Sequence, residues 1–371
     1  MTFLKNFMLT ITLLCVFITG CNPMVEPENN NEVQETNATP DKDEKTQQFS
    51  VDNKEVIATN LNVPWSITKS GDVFFITERT GKIVKIDKAG MTRKDVQLDK
   101  PLLVYGEGGL LGMELHPDFQ ENGLAFAYYT YGTEEAVKNR IVMLNYDGSA
   151  WKETGVLLED IDGAIFHNGG RVKVGPDDKL YVTVGDANEP DSAQNQELLT
   201  GSILRMNLDG TVPVDNPFPG SYVYSYGHRN PQGISWDSET GEMYASEHGP
   251  SAFDEINLIK KGKNYGWPIY TGEDHTEEVE APLFHSGTDT WAPSGIFAEN
   301  GILYAASLRG EMVRAFDINS KQQSVLWKEN GRIRDVWKEG DSVYFITNNT
   351  DGRGNPGPED DQLIRLDLSF D

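Results

Sequence analysis

The chain has 371 residues, enough for two ordinary domains or one large all-β domain. Its 58 acidic side chains outnumber 32 basic ones, for a formal net charge of -26. That excludes a nucleic-acid or anionic-membrane surface, because phosphates need a basic face.

The first residues read as an export segment. Lys5 precedes an apolar run from Phe7 to Ile18, which ends on Thr19-Gly20-Cys21. The run is short for a membrane span, and no stop-transfer pattern follows it. Residues 1–21 are therefore expected to be a signal peptide. Ile18-Thr-Gly-Cys21 resembles a bacterial lipobox, which implies cleavage before Cys21, lipid on its sulfur, and anchorage at the extracellular face of the cell membrane. Cys15 leaves with the signal, so the mature chain keeps one cysteine and no intramolecular disulfide. Residues 22–50 are rich in Asn, Glu, Asp, Thr, Lys and Gln and poor in large apolar residues. Such a segment buries too little surface to fold, and it reads as a flexible acidic tether.

From Val51 to Asp371 the pattern changes to short apolar or alternating runs cut by Gly, Asp and Asn. Long 3.6-residue periods are absent, so the class is all-β. One pattern recurs six times: a short strand, a tight turn, an aromatic-rich strand, a variable loop, and a strand ending near Asp or Asn. Trp65-Ser-Ile-Thr68 leads through Ser70-Gly71 to Val73-Phe-Phe-Ile-Thr77 and then Ile83-Val-Lys-Ile-Asp87. Arg171-Val-Lys-Val174 leads through Asp177-Asp178 to Leu180-Tyr-Val-Thr-Val184 and then Ile203-Leu-Arg-Met-Asn207. The other copies start at Leu111, Ile234, Pro293 and Ile333. Repeats of this period predict a six-bladed β-propeller of short antiparallel blades around a central channel. The run Glu55-Val-Ile-Ala-Thr59 is expected to supply the outer strand of the last blade and close the ring.

Unusual residues collect at matched strand ends. Glu107 precedes the second unit. His167 precedes the third, and Asp186 follows its aromatic strand. Arg229, Asn230 and Gln232 precede the fourth, and Gly249 and Pro250 follow its aromatic strand. Arg309 follows the same strand in the fifth unit, and Arg332 and Arg334 open the sixth. Equivalent positions of a propeller converge on one axis, so these residues are expected to share a site. A His beside an Asp makes an oriented general base. Four arginines in so acidic a chain point to a ligand with several carboxylates or phosphates. The turn carbonyls of Gly249 and Pro250 suit a hard cation such as Ca²⁺. His116, His275 and His285 read as turn or loop residues. No zinc spacing, nucleophile elbow or phosphate loop appears.

Six motifs in order resemble one family. They are Gly108-Gly-Leu-Leu-Gly112, His167-Asn-Gly-Gly-Arg171, Gly227-His-Arg-Asn-Pro-Gln-Gly233, His248-Gly-Pro250, Asp254-Glu-Ile-Asn257 and Asn264-Tyr-Gly-Trp-Pro268. The chain is similar over 51–371 to the glucose/sorbosone dehydrogenases, soluble pyrroloquinoline quinone (PQQ) enzymes built on a six-bladed propeller. The resemblance implies oxidation of an aldose to a lactone, with electrons passed to an external acceptor. It implies His167 as the base for the anomeric hydroxyl, Asp186 as the group that orients it, and Arg229 over the quinone oxygens. Asn230 and Gln232 would be cofactor contacts, Arg309, Arg332 and Arg334 would meet the PQQ carboxylates, and the Gly249 and Pro250 carbonyls would hold Ca²⁺. One position departs from the pattern: Glu107 stands where relatives carry glutamine. A carboxylate beside a polyanion is unfavourable unless it is protonated or meets calcium.

Two other classes stay open. One is a non-catalytic ligand-binding propeller, against which the joint presence of His167, Asp186 and Arg229 speaks. The other is a calcium-dependent lactonase, whose axial metal would want carboxylates where this chain has arginines.

Overall fold

The computed structural model describes residues 49–370. The expected signal peptide over 1–21 and the tether up to residue 48 lie outside the described residues, while Phe49 and Ser50 belong to the first strand. Among the described residues the class is all-β: 24 strands are accompanied by a single four-residue α-helix, α1 (Phe119–Asn122), and one short 3-10 turn.

The strands follow the repeated pattern. After β1 (Phe49–Ala58) come β2 (Pro64–Ser70), β3 (Val73–Glu78), β4 (Lys82–Asp87) and β5 (Gly90–Gln97). The second run is β6 (Leu110–Leu115), β7 (Leu124–Thr133), β8 (Ala136–Tyr146) and β9 (Trp151–Asp162). The third is β10 (Val172–Val174), β11 (Lys179–Val184), β12 (Ser202–Asn207) and β13 (Val223–Tyr226). The fourth is β14 (Pro231–Trp236), β15 (Met243–Glu247), β16 (Glu255–Ile259) and β17 (Phe284–His285). The fifth is β18 (Pro293–Glu299), β19 (Ile302–Ser307), β20 (Met312–Asp317) and β21 (Gln323–Trp327). The sixth is β22 (Ile333–Glu339), β23 (Ser342–Thr347) and β24 (Leu363–Phe370). His285, read as a loop residue, is the end of β17.

Four of the resulting sheets have four strands. The fifth has eight, because β5 and β9 meet edge to edge in a short parallel pairing at Val96–Trp151 and Gln97–Lys152. The last sheet runs β1-β24-β23-β22, so the N-terminal strand completes it, antiparallel to β24. This is the pairing expected for Glu55–Thr59, extended back to Phe49.

Within each run, burial falls from the middle outward. All six residues of β19 and all five of β15 are buried, whereas β5 is almost wholly exposed. Second strands are covered on both faces, which is why they read as continuous apolar runs with small residues rather than as strict alternation. The cores lie between sheets. One joins Phe126, Tyr128 and Ile141 to Leu180, Val182 and Leu204; another joins Tyr304 and Val313 to Val336, Phe345 and Ile364.

The first strands touch in a circuit: β2 with β6, β6 with β10, β10 with β14, β14 with β18, β18 with β22, and β22 with β2. Polar groups tie them together. The Asp335 carboxylate accepts from Arg171 Nη1 at 2.8 Å and from the Ile67 backbone N–H at 2.8 Å, while Arg171 Nε donates to the Gln232 carbonyl at 2.8 Å. Arg171 also lies 4.3 Å over the Trp65 ring. The approach is close enough to demand glycine. A Cβ on Gly295 would fall 1.6 Å from Asp335 Oδ1.

Candidate active site

The loop from β9 to β10 presents His167. Its backbone has φ of +60°, a left-handed conformation uncommon outside glycine. Neighbours hold it there. The His167 N–H donates to Glu107 Oε2 at 3.2 Å, and its carbonyl accepts from Ala187 N–H at 3.2 Å. A Cβ on Gly185 would sit 2.1 Å from that carbonyl oxygen, so the strand-end motif Val184-Gly-Asp186 needs its glycine. The ring then reaches Asp186, with Nδ1 to Oδ1 at 2.7 Å. Asp186 is fully buried, whereas the His167 side chain keeps 16% of its surface open. The other carboxylate oxygen of Asp186 accepts from Trp267 Nε1 at 2.8 Å. With Nδ1–H directed at Asp186, Nε2 is the imidazole nitrogen left for a substrate.

Arg229 is tied to the same group. Its carbonyl accepts from Asp186 N–H at 2.8 Å, and its guanidinium lies 5.2 Å from the Trp267 ring centre. Its N–H donates to Glu247 Oε2 at 2.8 Å, and Glu247 Oε1 takes Nδ1 of the buried His228 at 2.9 Å. Burial lowers the Arg229 pKa, and Asp186, Glu107 and Glu247 oppose that shift.

A cavity of about 520 Å³ opens beside Arg229. Its lining includes His248, Gly249, Pro250, Asp254, Arg309, Arg332 and Arg353. Arg353 reaches from this lining to Glu107, which in turn accepts from the His167 N–H. Arg309 is exposed. Arg332 is buried and paired with Asp351, Nη2 to Oδ2 at 2.9 Å. Arg334 is buried too, and donates from Nη1 to Gln232 Oε1 at 2.8 Å. Asn230 is fully buried, its Oδ1 accepting from Gly169 N–H at 3.1 Å. Several buried donors are left over: Arg229 Nε, Asn230 Nδ2, Arg332 Nε and Arg334 Nε have no hydrogen-bond partner. Orphaned buried donors are rare in folded proteins, and a cluster of them beside a cavity leaves room for acceptors from water or a ligand. This donor set fits an anion with several carboxylates.

Glu107 resolves differently from the sequence expectation. Its Oε1 meets Arg353 Nη1 at 2.9 Å, and Arg353 in turn lies 5.5 Å over the Phe166 ring. Burial pushes the Glu107 carboxyl up, but His248, Arg353 and the His167 N–H outweigh it and hold the pKa at about 2.

Three groups escaped the sequence reading. Arg353 lies in the long loop between β23 and β24, away from every matched strand end. Asp351 precedes it. Trp267 stood in a motif, but nothing local in the sequence showed that its indole would reach Asp186. His248 was noted for its motif alone; burial keeps its pKa at about 4, so its ring is neutral at physiological pH.

For a cation the protein offers little by itself. Among the described residues no group of three or more His, Cys, Asp or Glu side chains is placed to hold a metal. The Gly249 carbonyl already accepts from Arg229 Nη1 at 2.8 Å. Two carbonyls cannot fill the six to eight oxygen positions that Ca²⁺ takes, so the rest would have to come from water or from the bound cofactor.

The chain belongs to the Glucose / Sorbosone dehydrogenase family, whose model matches residues 61–365. It is an enzyme, an oxidoreductase of the sugar dehydrogenase kind. The PQQ-bound aldose sugar dehydrogenase of Streptomyces coelicolor is 34% identical and superimposes with a TM-score of 0.79, covering 87% of this chain and 99% of that one. Quinoprotein glucose dehydrogenase B of Acinetobacter calcoaceticus is 37% identical over 256 residues, 59% of this chain and 53% of that protein. The aldose sugar dehydrogenase of Escherichia coli is 27% identical, over 81% of this chain and 91% of that protein.

Proposed function

We propose that the protein is a PQQ- and calcium-dependent aldose dehydrogenase on a six-bladed propeller, its blades being the six antiparallel runs and its axis the circuit of first strands. The observation that carries this reading is the buried chain Trp267–Asp186–His167 set beside a cavity whose arginine and asparagine donors lack partners.

His167 Nε2 takes the proton from the anomeric hydroxyl of the sugar, and Asp186 stabilises the imidazolium that results. Trp267 holds Asp186, so the base keeps its orientation. Arg229, Arg332 and Arg334 supply positive charge to a bound polycarboxylate, and Asn230 adds a donor beside them. Gln232 reaches that ligand through Arg334. Arg309 closes the open side. PQQ, when bound, supplies the acceptor for the hydride from C1, and Ca²⁺ at the Gly249 and Pro250 carbonyls supplies Lewis acidity. Loss of one proton and one hydride converts the aldose to its lactone. By the same reading the mature protein is lipid-anchored at Cys21 outside the cell, on a tether ending near residue 50.

Titration of the purified protein with PQQ and Ca²⁺, followed by dye reduction with several aldoses, tests the assignment. Activity that requires both additions is the expected result; tight PQQ binding without turnover on any aldose would favour a binding module. His167→Gln should abolish sugar oxidation, by about 10²-fold or more, while PQQ affinity measured by fluorescence is kept. Substantial turnover in that variant would remove His167 as the base.

A further inference from the structure

Arg79 directly follows β3, and its backbone places it at the site. Its N–H donates at 3.1 Å to the carbonyl of Val63, the residue just before β2. His248 makes the same bond in the fourth run, at 3.3 Å to Asn230, the residue just before β14. Arg79 therefore holds in the first run the position that His248, part of the cavity lining, holds in the fourth. The strands β2 and β14 lie three steps apart either way round the circuit of first strands, so Arg79 stands across it from Arg229. The segment after Glu107 packs closely on it. The Arg79 carbonyl accepts from Leu110 N–H at 3.1 Å, and a Cβ on Gly109 would fall 2.4 Å from that carbonyl oxygen.

The side chain differs from those of the arginines around it. Arg229 donates to the Gly249 carbonyl, Arg332 pairs with Asp351, Arg334 donates to Gln232, and Arg353 pairs with Glu107. Arg79 is partly buried and its Nε is covered, yet among the described residues its guanidinium has neither a hydrogen bond nor an ion pair. A guanidinium drawn partly out of water without a partner destabilises the fold that holds it. Burial lowers the Arg79 pKa, Asp351 and Glu107 oppose that shift, and Arg353 adds to it, so the charge stands in the field of the same loop that reaches Glu107.

Resting on the dehydrogenase reading, we propose that Arg79 is a further cofactor-binding residue, which takes a carboxylate of PQQ at the end remote from Arg229. The guanidinium fork suits a carboxylate, and no protein group competes for it. The empty and loaded states then place opposite demands on one residue. Without the cofactor its charge weakens the fold; with the cofactor it holds the ligand.

The test compares the parent protein with Arg79→Met and Arg79→Lys, by fluorescence titration with PQQ in the presence of Ca²⁺ and by thermal melts without PQQ. Arg79→Met should bind PQQ about tenfold or more weakly, since a hydrogen-bonded charge is lost. Arg79→Lys returns the charge without the fork and should recover part of that loss. In the melts Arg79→Met should unfold no lower than the parent, because it removes a charge that has no partner; a purely structural arginine would lower Tm when replaced. PQQ affinity of Arg79→Met within about twofold of the parent, a lysine variant no tighter than the methionine one, or a lowered Tm without PQQ would each overturn the assignment. A parent protein that binds no PQQ would instead overturn the cofactor reading on which it rests.

Discussion

Glu107 brings a full negative charge to a place that otherwise gathers arginines, and Arg353 is the residue that makes this tolerable. The pair leaves the site's net charge unchanged while its carboxylate holds the His167 backbone. Charge counting then predicts an order of PQQ affinities by fluorescence titration. Arg353→Met should bind about tenfold more weakly, Glu107→Gln somewhat more tightly, and the double variant close to the parent. A double variant as weak as Arg353→Met would mean that Arg353 contacts the cofactor directly. His167, Asp186 and Arg229 were legible in the sequence because each sits at a matched strand end. Arg353 was not, since a loop of some fifteen residues between β23 and β24 gives no periodic signal of where its middle will fall. Trp267 was hidden for a related reason: its contact with Asp186 bridges 81 residues.

At the scale of elements, the first strands hold together through buried charge. Asp335 on β22 serves β2 and the start of β10 at once. Asp335→Ala would leave Arg171 buried and unpaired, and should cost about 3–5 kcal/mol in denaturant unfolding. A second buried charge lies on paired strands, where Glu247 on β15 faces Glu255 on β16. Burial, with Glu247 adding to it, pushes the Glu255 carboxyl up to about 8 from its ordinary 4.5. The folded chain therefore binds a proton that the unfolded chain has released, and stability falls as the pH rises between about 4.5 and 8. Thermal melts in a chelating buffer should show Tm declining across that range, and Glu255→Gln should flatten the decline. The strands themselves were largely readable, because turn pairs such as Asn300-Gly301 and Gly340-Asp341 separate them. The join of β5 to β9 was not, because it rests on two residue pairs at the exposed edges of two runs.

At the scale of the molecule, the circuit of first strands closes between β22 and β2, and β1 closes the last sheet from outside. A chain beginning at Asn60 would expose the edge of β24 along its length. Such an edge pairs with other chains. The shortened protein should associate in a concentration-dependent way on size exclusion, and its Tm should fall by about 10 °C. The all-β class and the closing strand follow from local patterns. How the circuit brings the buried Arg332 and Arg334 together with Arg229 does not, because it depends on residues far apart in sequence meeting near an axis.

The hydroxyls of Ser50 and Ser369 lie 2.8 Å apart although 319 residues separate them. A ribosome delivers β1 first and its partner last, so the opening strand stays single until synthesis is all but complete. The final stitch of the fold therefore waits for the far end to arrive.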